Sequence, residues 1–193
     1  MADPLNLTRE LQRKSIHILI SVIPLAYYFG GSKQFILGFS FTLTIGFLIA
    51  EILRMNFFLA EKYFTIIFHK LLRFDEQKKQ LTGASYLFLG MTLTFFLFPK
   101  EEAIPAVLFL TVADSAAAII GKWCGGKIIL EKTLQGSLAF FLTAVFIIWA
   151  LTDFGCPGIG IAFMVTLIEF LPIGVNDNLS IPLAGGAFLY YLA

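Results

Sequence analysis

The stretch VADSAAAIIGKWCGGKIILEKTLQGS, from Val112 to Ser137, begins as an apolar helix carrying a carboxylate and ends as a loop rich in glycine and lysine. The run that feeds it, Ala103 to Ile120, is long enough to cross the hydrocarbon core, for which roughly 17 to 25 residues suffice. Asp114 lies two helical turns before Gly121, where the run ends, so a carboxylate is held below the membrane interface and needs a partner. The loop offers Lys122, Lys127 and Lys132, while Gly121, Gly125, Gly126 and Gly136 let backbone N–H groups come close to a ligand. Helix and loop together predict a phosphate site at a membrane surface, where a polyanion held with a divalent cation satisfies both halves.

The rest of the composition agrees. Of 193 residues, 58% are hydrophobic and 14% charged, with 22 phenylalanines, which excludes an ordinary soluble domain. Apolar stretches run from Ser15 to Phe29, Phe35 to Leu53, Ala84 to Phe98, Ala103 to Ile120, Ser137 to Leu151, Ile159 to Ile173 and Leu179 to Leu192. They predict an all-α polytopic membrane helix bundle of about seven transmembrane helices, forming one integral-membrane domain over residues 1–193. Met1 to Lys14 is polar and no small-residue cleavage site follows the first apolar run, so that run is expected to remain as an anchor.

Charge sets the expected orientation. Of the 14 Lys and Arg residues, only Lys33 and Lys100 fall in the loops of one side, and the excess of basic residues marks the cytoplasmic side. A multi-pass protein with a cytoplasmic N-terminus follows. The formal charge of +1 gives no reason to expect a nucleic-acid partner. Cys124 and Cys156 fall in loops expected on opposite faces, so both should be free thiols, and no ligand spacing supports structural zinc. The long loop from Met55 to Gln80 predicts a cytoplasmic interfacial helix: Ala60, Tyr63, Phe64, Ile67, Phe68 and Leu71 recur at helical spacing, opposed by Lys62, Thr65, His69 and Arg73.

With that topology, the polar residues in or beside the apolar runs gather at one membrane face. His17 opens the first run, Glu51 and Arg54 close the second, and Thr82, Ser85 and Tyr86 begin the third. Asp114 and Ser115 lie late in the fourth, Glu169 late in the sixth, and Asp177 and Asn178 fill the last cytoplasmic turn. The outer half is almost wholly apolar, which leaves little to line a channel and favours chemistry on a cytoplasmic solute.

Gly121, Gly126 and Lys127 match the start of a phosphate-binding loop, G-x-x-x-x-G-K, but Ile128 follows where Ser or Thr must bind magnesium, and the preceding element is a membrane helix. Magnesium takes one or two carboxylates and shares phosphate oxygens with its substrate, so Asp114 and Asp177 suffice, with Glu169 as a third contributor. His17 lies one turn from Arg13 and Lys14, as an interfacial histidine or a base; Glu51 and Arg54, at i and i+3, can simply pair.

At these residues the chain resembles the CTP-dependent lipid alcohol kinases: dolichol and polyprenol kinases, phytol kinases and CTP-dependent diacylglycerol kinases. ELQRKSIHI at Glu10 to Ile18 is similar to the family's opening R-K-x-x-H, and LLRFDEQKKQLTGASYLFLG at Leu71 to Gly90 to its T-G-A-S-Y block. The most specific piece is D-S-A-A-A-I-I-G-K-x-x-G…E-K-T-x-x-G-S, at Asp114 to Ser137; Glu169 and D-N-L-S-I-P-L, at Asp177 to Leu183, resemble the closing motif. Gln135 stands where the family usually has Glu. The resemblance implies transfer of the γ-phosphoryl of CTP to a membrane lipid alcohol such as a polyprenol, phytol or diacylglycerol, with Mg2+ as cofactor. It further implies that Lys122, Lys127, Lys132 and Thr133 hold the triphosphate, that magnesium rests on Asp114 and Asp177, and that one of these, or His17, takes the hydroxyl proton. Two other functions fit a membrane phosphate site. One is a CDP-diacylglycerol-type cytidylyltransferase, whose closing Lys-Asp pair is missing here; the other is a non-catalytic lipid-binding or transport protein.

Overall fold

A computed structural model of the chain describes residues 4–68, 80–125, 128–130 and 132–192. The first apolar run is broken into α1 (Pro4–Ile20) and α2 (Val22–Tyr28). Pro24 lacks the N–H that would bond the Ile20 carbonyl, and the Ser21 hydroxyl folds back on Ile18 O at 2.5 Å. The second run becomes α3 (Lys33–Asn56), capped by the Ser32 hydroxyl, which accepts from Phe35 N–H at 3.3 Å. Next come α4 (Phe58–Phe68), α5 (Gly83–Leu97) and α6 (Lys100–Leu108). A π-helical turn, Phe109–Ala113, joins α6 without a break to α7 (Asp114–Cys124). A hairpin of two very short antiparallel strands, β1 (Ile128–Ile129) and β2 (Lys132–Thr133), then leads into α8 (Leu134–Leu151), α9 (Gly155–Phe170) and α10 (Asp177–Leu192).

Each expected apolar run is helical over most of its length, the first broken at Ser21 and the sixth ending at Phe170 instead of Ile173, and the described residues are otherwise all-α apart from the hairpin, which stands where the sequence predicts only a loop. Three helical runs are long and apolar enough to cross a membrane unaided: Lys33–Asn56, Lys100–Cys124 and Leu134–Leu151. Gly83–Leu97 and Gly155–Phe170 are apolar but shorter. The interfacial stretch begins as α4, with Tyr63 exposed; the rest of it, including His69, Leu71 and Arg73, lies outside the described residues.

Lys100–Cys124 is the axis of the bundle: 72% of its most apolar window is buried, against 22% for Lys33–Asn56. Around it α6 packs on α10, α7 on α8 and α1, and α8 on α9, while α3 reaches the bundle through α5. Phe95, Phe109, Phe140, Leu87, Met91 and Ile148 fill the interior. The outer surface is also apolar, with Phe29, Phe35, Phe96, Phe146, Trp149 and Tyr191 exposed. Helices apolar on every side need lipid around them, as in a membrane protein.

Candidate functional site

Four elements bring their polar residues to one cavity of about 290 Å³. Its polar walls are Arg13 and Lys14 from α1, Asp114 from α7, Lys132 from β2, and Asp177 and Asn178 from α10. Local sequence explains how each arrives. A π turn re-aims the side chain that follows it, and here Asp114 is the first residue after the turn. Asp177 opens α10, where the helix dipole favours a carboxylate. Hairpin pairing of Ile129 with Lys132 turns the glycine- and lysine-rich loop back towards the bundle.

Two ion-pair systems hold the walls. Asp114 and Lys14, both buried, pair directly across 100 positions of sequence. Lys132 sits between two carboxylates, its Nζ donating to Glu169 Oε1 and to Asp177 Oδ2, each at 2.8 Å. The other oxygen of Glu169 accepts from the Ser137 hydroxyl at 3.1 Å. Burial alone depresses the Lys132 ammonium, but the charges of Glu169 and Asp177 outweigh it and hold its pKa well above the ordinary lysine range. Asn178 fixes the start of α10, donating Nδ2–H to Gly83 O at 2.7 Å, and Gly90 lets α10 come close because a Cβ there would strike Asn178 O. Three carboxylates and three cations therefore surround the cavity or stand behind it, Arg13 also pairing with Glu10 at 2.9 Å.

A second buried network stands beside this site. Glu51 Oε2 accepts from Arg54 Nε at 2.8 Å and Nη2 at 2.6 Å, and its Oε1 from Thr82 N–H at 2.9 Å and Ser85 Oγ at 3.2 Å. Arg54 also donates to Gln80 O at 2.5 Å and lies 5.1 Å from the centre of the Phe64 ring. Glu51 thereby caps α5 from α3, in place of the Thr82 side chain, which makes no cap.

The sequence-predicted residues thus divide. Asp114, Lys132, Asp177 and Asn178 line the cavity with Arg13 and Lys14, and Glu169 stands behind Lys132. Glu51 and Ser85 belong to the capping network. Lys122 turns to Glu10, 3.5 Å away, and Thr133 caps α8, its Oγ1 accepting from Gly136 N–H at 3.2 Å. Gly121 and Gly136 meet each other where α7 crosses α8, since a Cβ on Gly121 would lie 3.3 Å from the Gly136 Cα. Gly125 ends α7 with φ of 64°. Gly126 and Lys127 lie outside the described residues. His17, one turn beyond Lys14, is buried, and its Nδ1 has no hydrogen-bond partner among the described residues. Lys14 is the partner that the Asp114 argument demands, and sequence reading gives it only an accessory place. The R-K-x-x-H motif was the one signal that could have raised it.

Among the described residues no three or more His, Cys, Asp or Glu side chains stand together as an all-protein metal cage. Asp114 and Asp177 both line the cavity, paired to Lys14 and Lys132, and are the two carboxylates there that could hold a magnesium ion sharing phosphate oxygens with a substrate. Cys124 and Cys156 are both free and exposed.

A protein of Rickettsia prowazekii, itself uncharacterized, is 32% identical over 187 residues, covering 91% of this chain and 90% of its own. An uncharacterized protein of Methanocaldococcus jannaschii is 31% identical over 181 residues, covering 90% and 89%. The chain belongs to the family of these two proteins. CTP-dependent diacylglycerol kinase 1 of Schizosaccharomyces pombe is a more distant relative, 26% identical over 208 residues and covering 95% of this chain and 93% of its own. No family model matches the chain, and no solved structure matches it at comparable significance.

Proposed function

We propose that this membrane protein is a CTP-dependent lipid kinase, moving the γ-phosphoryl group of CTP to the hydroxyl of a membrane lipid alcohol. The observation that carries this reading is the cavity itself, where Asp114 and Asp177 face Lys14, Arg13 and Lys132. Phosphoryl transfer asks mainly for positioning and charge neutralisation, and such a set of mixed charges provides both. The distant kinship with CTP-dependent diacylglycerol kinases supports CTP as donor and makes diacylglycerol the first acceptor to try, beside polyprenols and phytol.

In this reading Lys132, Lys14 and Arg13 bind the triphosphate oxygens. Asp114 and Asp177, with Glu169 behind them, would hold magnesium, which neutralises the charge developing on the transferred group. The acceptor oxygen bonds to the γ-phosphorus as the bond from that phosphorus to the β–γ bridging oxygen breaks. The hydroxyl proton passes to a cavity carboxylate, and CDP leaves. In the same reading about seven helical segments cross the bilayer with the N-terminus and the cavity on the cytoplasmic side, an orientation that the excess of Lys and Arg in alternate loops supports.

The test offers purified protein magnesium, γ-labelled CTP or ATP, and a panel of diacylglycerol, phytol, geranylgeraniol and a long polyprenol. Label entering one lipid with CTP, and lost in Asp114→Asn, supports the kinase and names its substrate. Pyrophosphate released from CTP and phosphatidate moves the reading to a cytidylyltransferase, and silence in both assays to a binding or transport role.

A further inference from the structure

The cavity that holds the charged groups has a second, apolar wall. In the register Ile128 to Thr133 and Ile129 to Lys132, Leu130 is the first residue past β1 and has φ of 50°. Hairpin turns take Asn, Asp or Gly at such a φ, because other side chains crowd the backbone there. A leucine that accepts this strain while half exposed to solvent, and that lines the cavity, points to a role outside folding. The α9–α10 connection lines the same cavity with Leu171, Pro172, Ile173 and Val175. Leu171, Ile173 and Val175 are also about half exposed, at 45%, 48% and 49%. Near the hairpin Trp123, Ile128 and Leu134 are exposed too, the composition of a surface at the boundary between headgroups and acyl chains.

From these residues we infer a subsite for the acceptor's hydrocarbon. Leu130, Leu171 and Ile173 grip the first methylenes of a lipid alcohol and hold its hydroxyl towards Asp177, so that the acceptor comes directly from the bilayer. The inference rests on the lipid-kinase reading. A nucleobase gains less from Leu130, Leu171 and Ile173, whose side chains give its polar edge no hydrogen-bond partner, than from Asn176 and Asn178 of the same cavity.

Leu130→Asn separates this role from a structural one. Asparagine tolerates positive φ, so the melting temperature should hold or rise, while the apolar contact is lost. With diacylglycerol in mixed micelles as the probe, its KM should rise about tenfold, a change of about 1.4 kcal/mol, and the KM for CTP should stay within about twofold. Ile173→Ser should act in the same direction, and a diacylglycerol bearing a diazirine beside its headgroup should label the hairpin or the α9–α10 connection. A rise in the KM for CTP alone would assign the apolar wall to the nucleotide and overturn the inference. Unchanged constants in both variants, with transfer intact, would overturn the subsite and leave the kinase standing. Failure of the native protein to transfer label to any lipid would remove both.

Discussion

Among the described residues the protein buries charge in two places and treats it in opposite ways. Around Glu51 each carboxylate oxygen has its partners: Arg54 on one side, Thr82 N–H and Ser85 on the other. None of these residues lines the 290 Å³ cavity. At the cavity, two lysines hold three carboxylates, and Lys132 and Asp177 keep 28% and 37% of their side-chain surface exposed. A network closed on itself ties α3 to α5 and has little left for a ligand. A network in which Lys132 and Asp177 reach solvent is open to exchange those partners for phosphate and a metal ion. If the kinase reading holds, this difference, and not burial, separates the structural ion pair from the functional one, because Glu51 and Asp114 are both buried.

Substitutions can break this contrast, and the largest effect is expected at Asp114. Asp114→Asn should lower lipid phosphorylation about a thousandfold in an initial-rate assay, as for loss of a carboxylate that would hold the metal neutralising transition-state charge. Glu51→Ala should instead lower stability by about 3–5 kcal/mol in detergent melts, since it leaves Arg54 buried without its carboxylate and α5 without its cap. Protein that stays folded should keep its KM for CTP. Gly90→Ala pushes α10 away at Asn178 and should cost about 1–3 kcal/mol by the same melts. The double variant Lys14→Met, Asp114→Leu removes a whole buried pair, so its stability should lie within about 1 kcal/mol of the native protein while phosphorylation stays absent. Recovered activity in that variant would make the pair merely structural. The smallest effect concerns pH. A lysine whose pKa is raised on folding adds stability that is complete below its unfolded value, about 10.4, and is lost only as pH climbs through the higher folded value. Melts of Lys132→Met and native protein should therefore show the same pH slope between about pH 6 and 9.

Much of this arrangement is legible in the sequence, and what is not has a physical reason. Helices follow from apolar run length, and Asp114, Glu169 and Asp177 stand out because carboxylates beside lipid must be satisfied. Glu51 and Arg54 are visible as a pair because they lie on adjacent turns of one helix. Lys14 and Asp114 are not, because 100 residues separate them and nothing in the periodicity says that α1 packs on α7. The same limit hides the meeting of Gly121 with Gly136: glycines in a loop suggest a ligand cradle, whereas close crossing of α7 and α8 needs the missing Cβ just as strongly. The β1–β2 hairpin escapes a reading made for helices because strands of two residues carry no alternation.

The central claim is that the open charge cluster transfers a phosphoryl group, and a two-label experiment addresses it most directly. Purified protein is given magnesium, diacylglycerol and a polyprenol, with CTP labelled at either the α- or the γ-phosphate, and the lipid phase is counted. Kinase action puts the γ label into lipid and leaves the α label in water as CDP, and Asp114→Asn abolishes the transfer. Label from the α position in the lipid, or γ label transferred equally well by Asp114→Asn, would contradict the account.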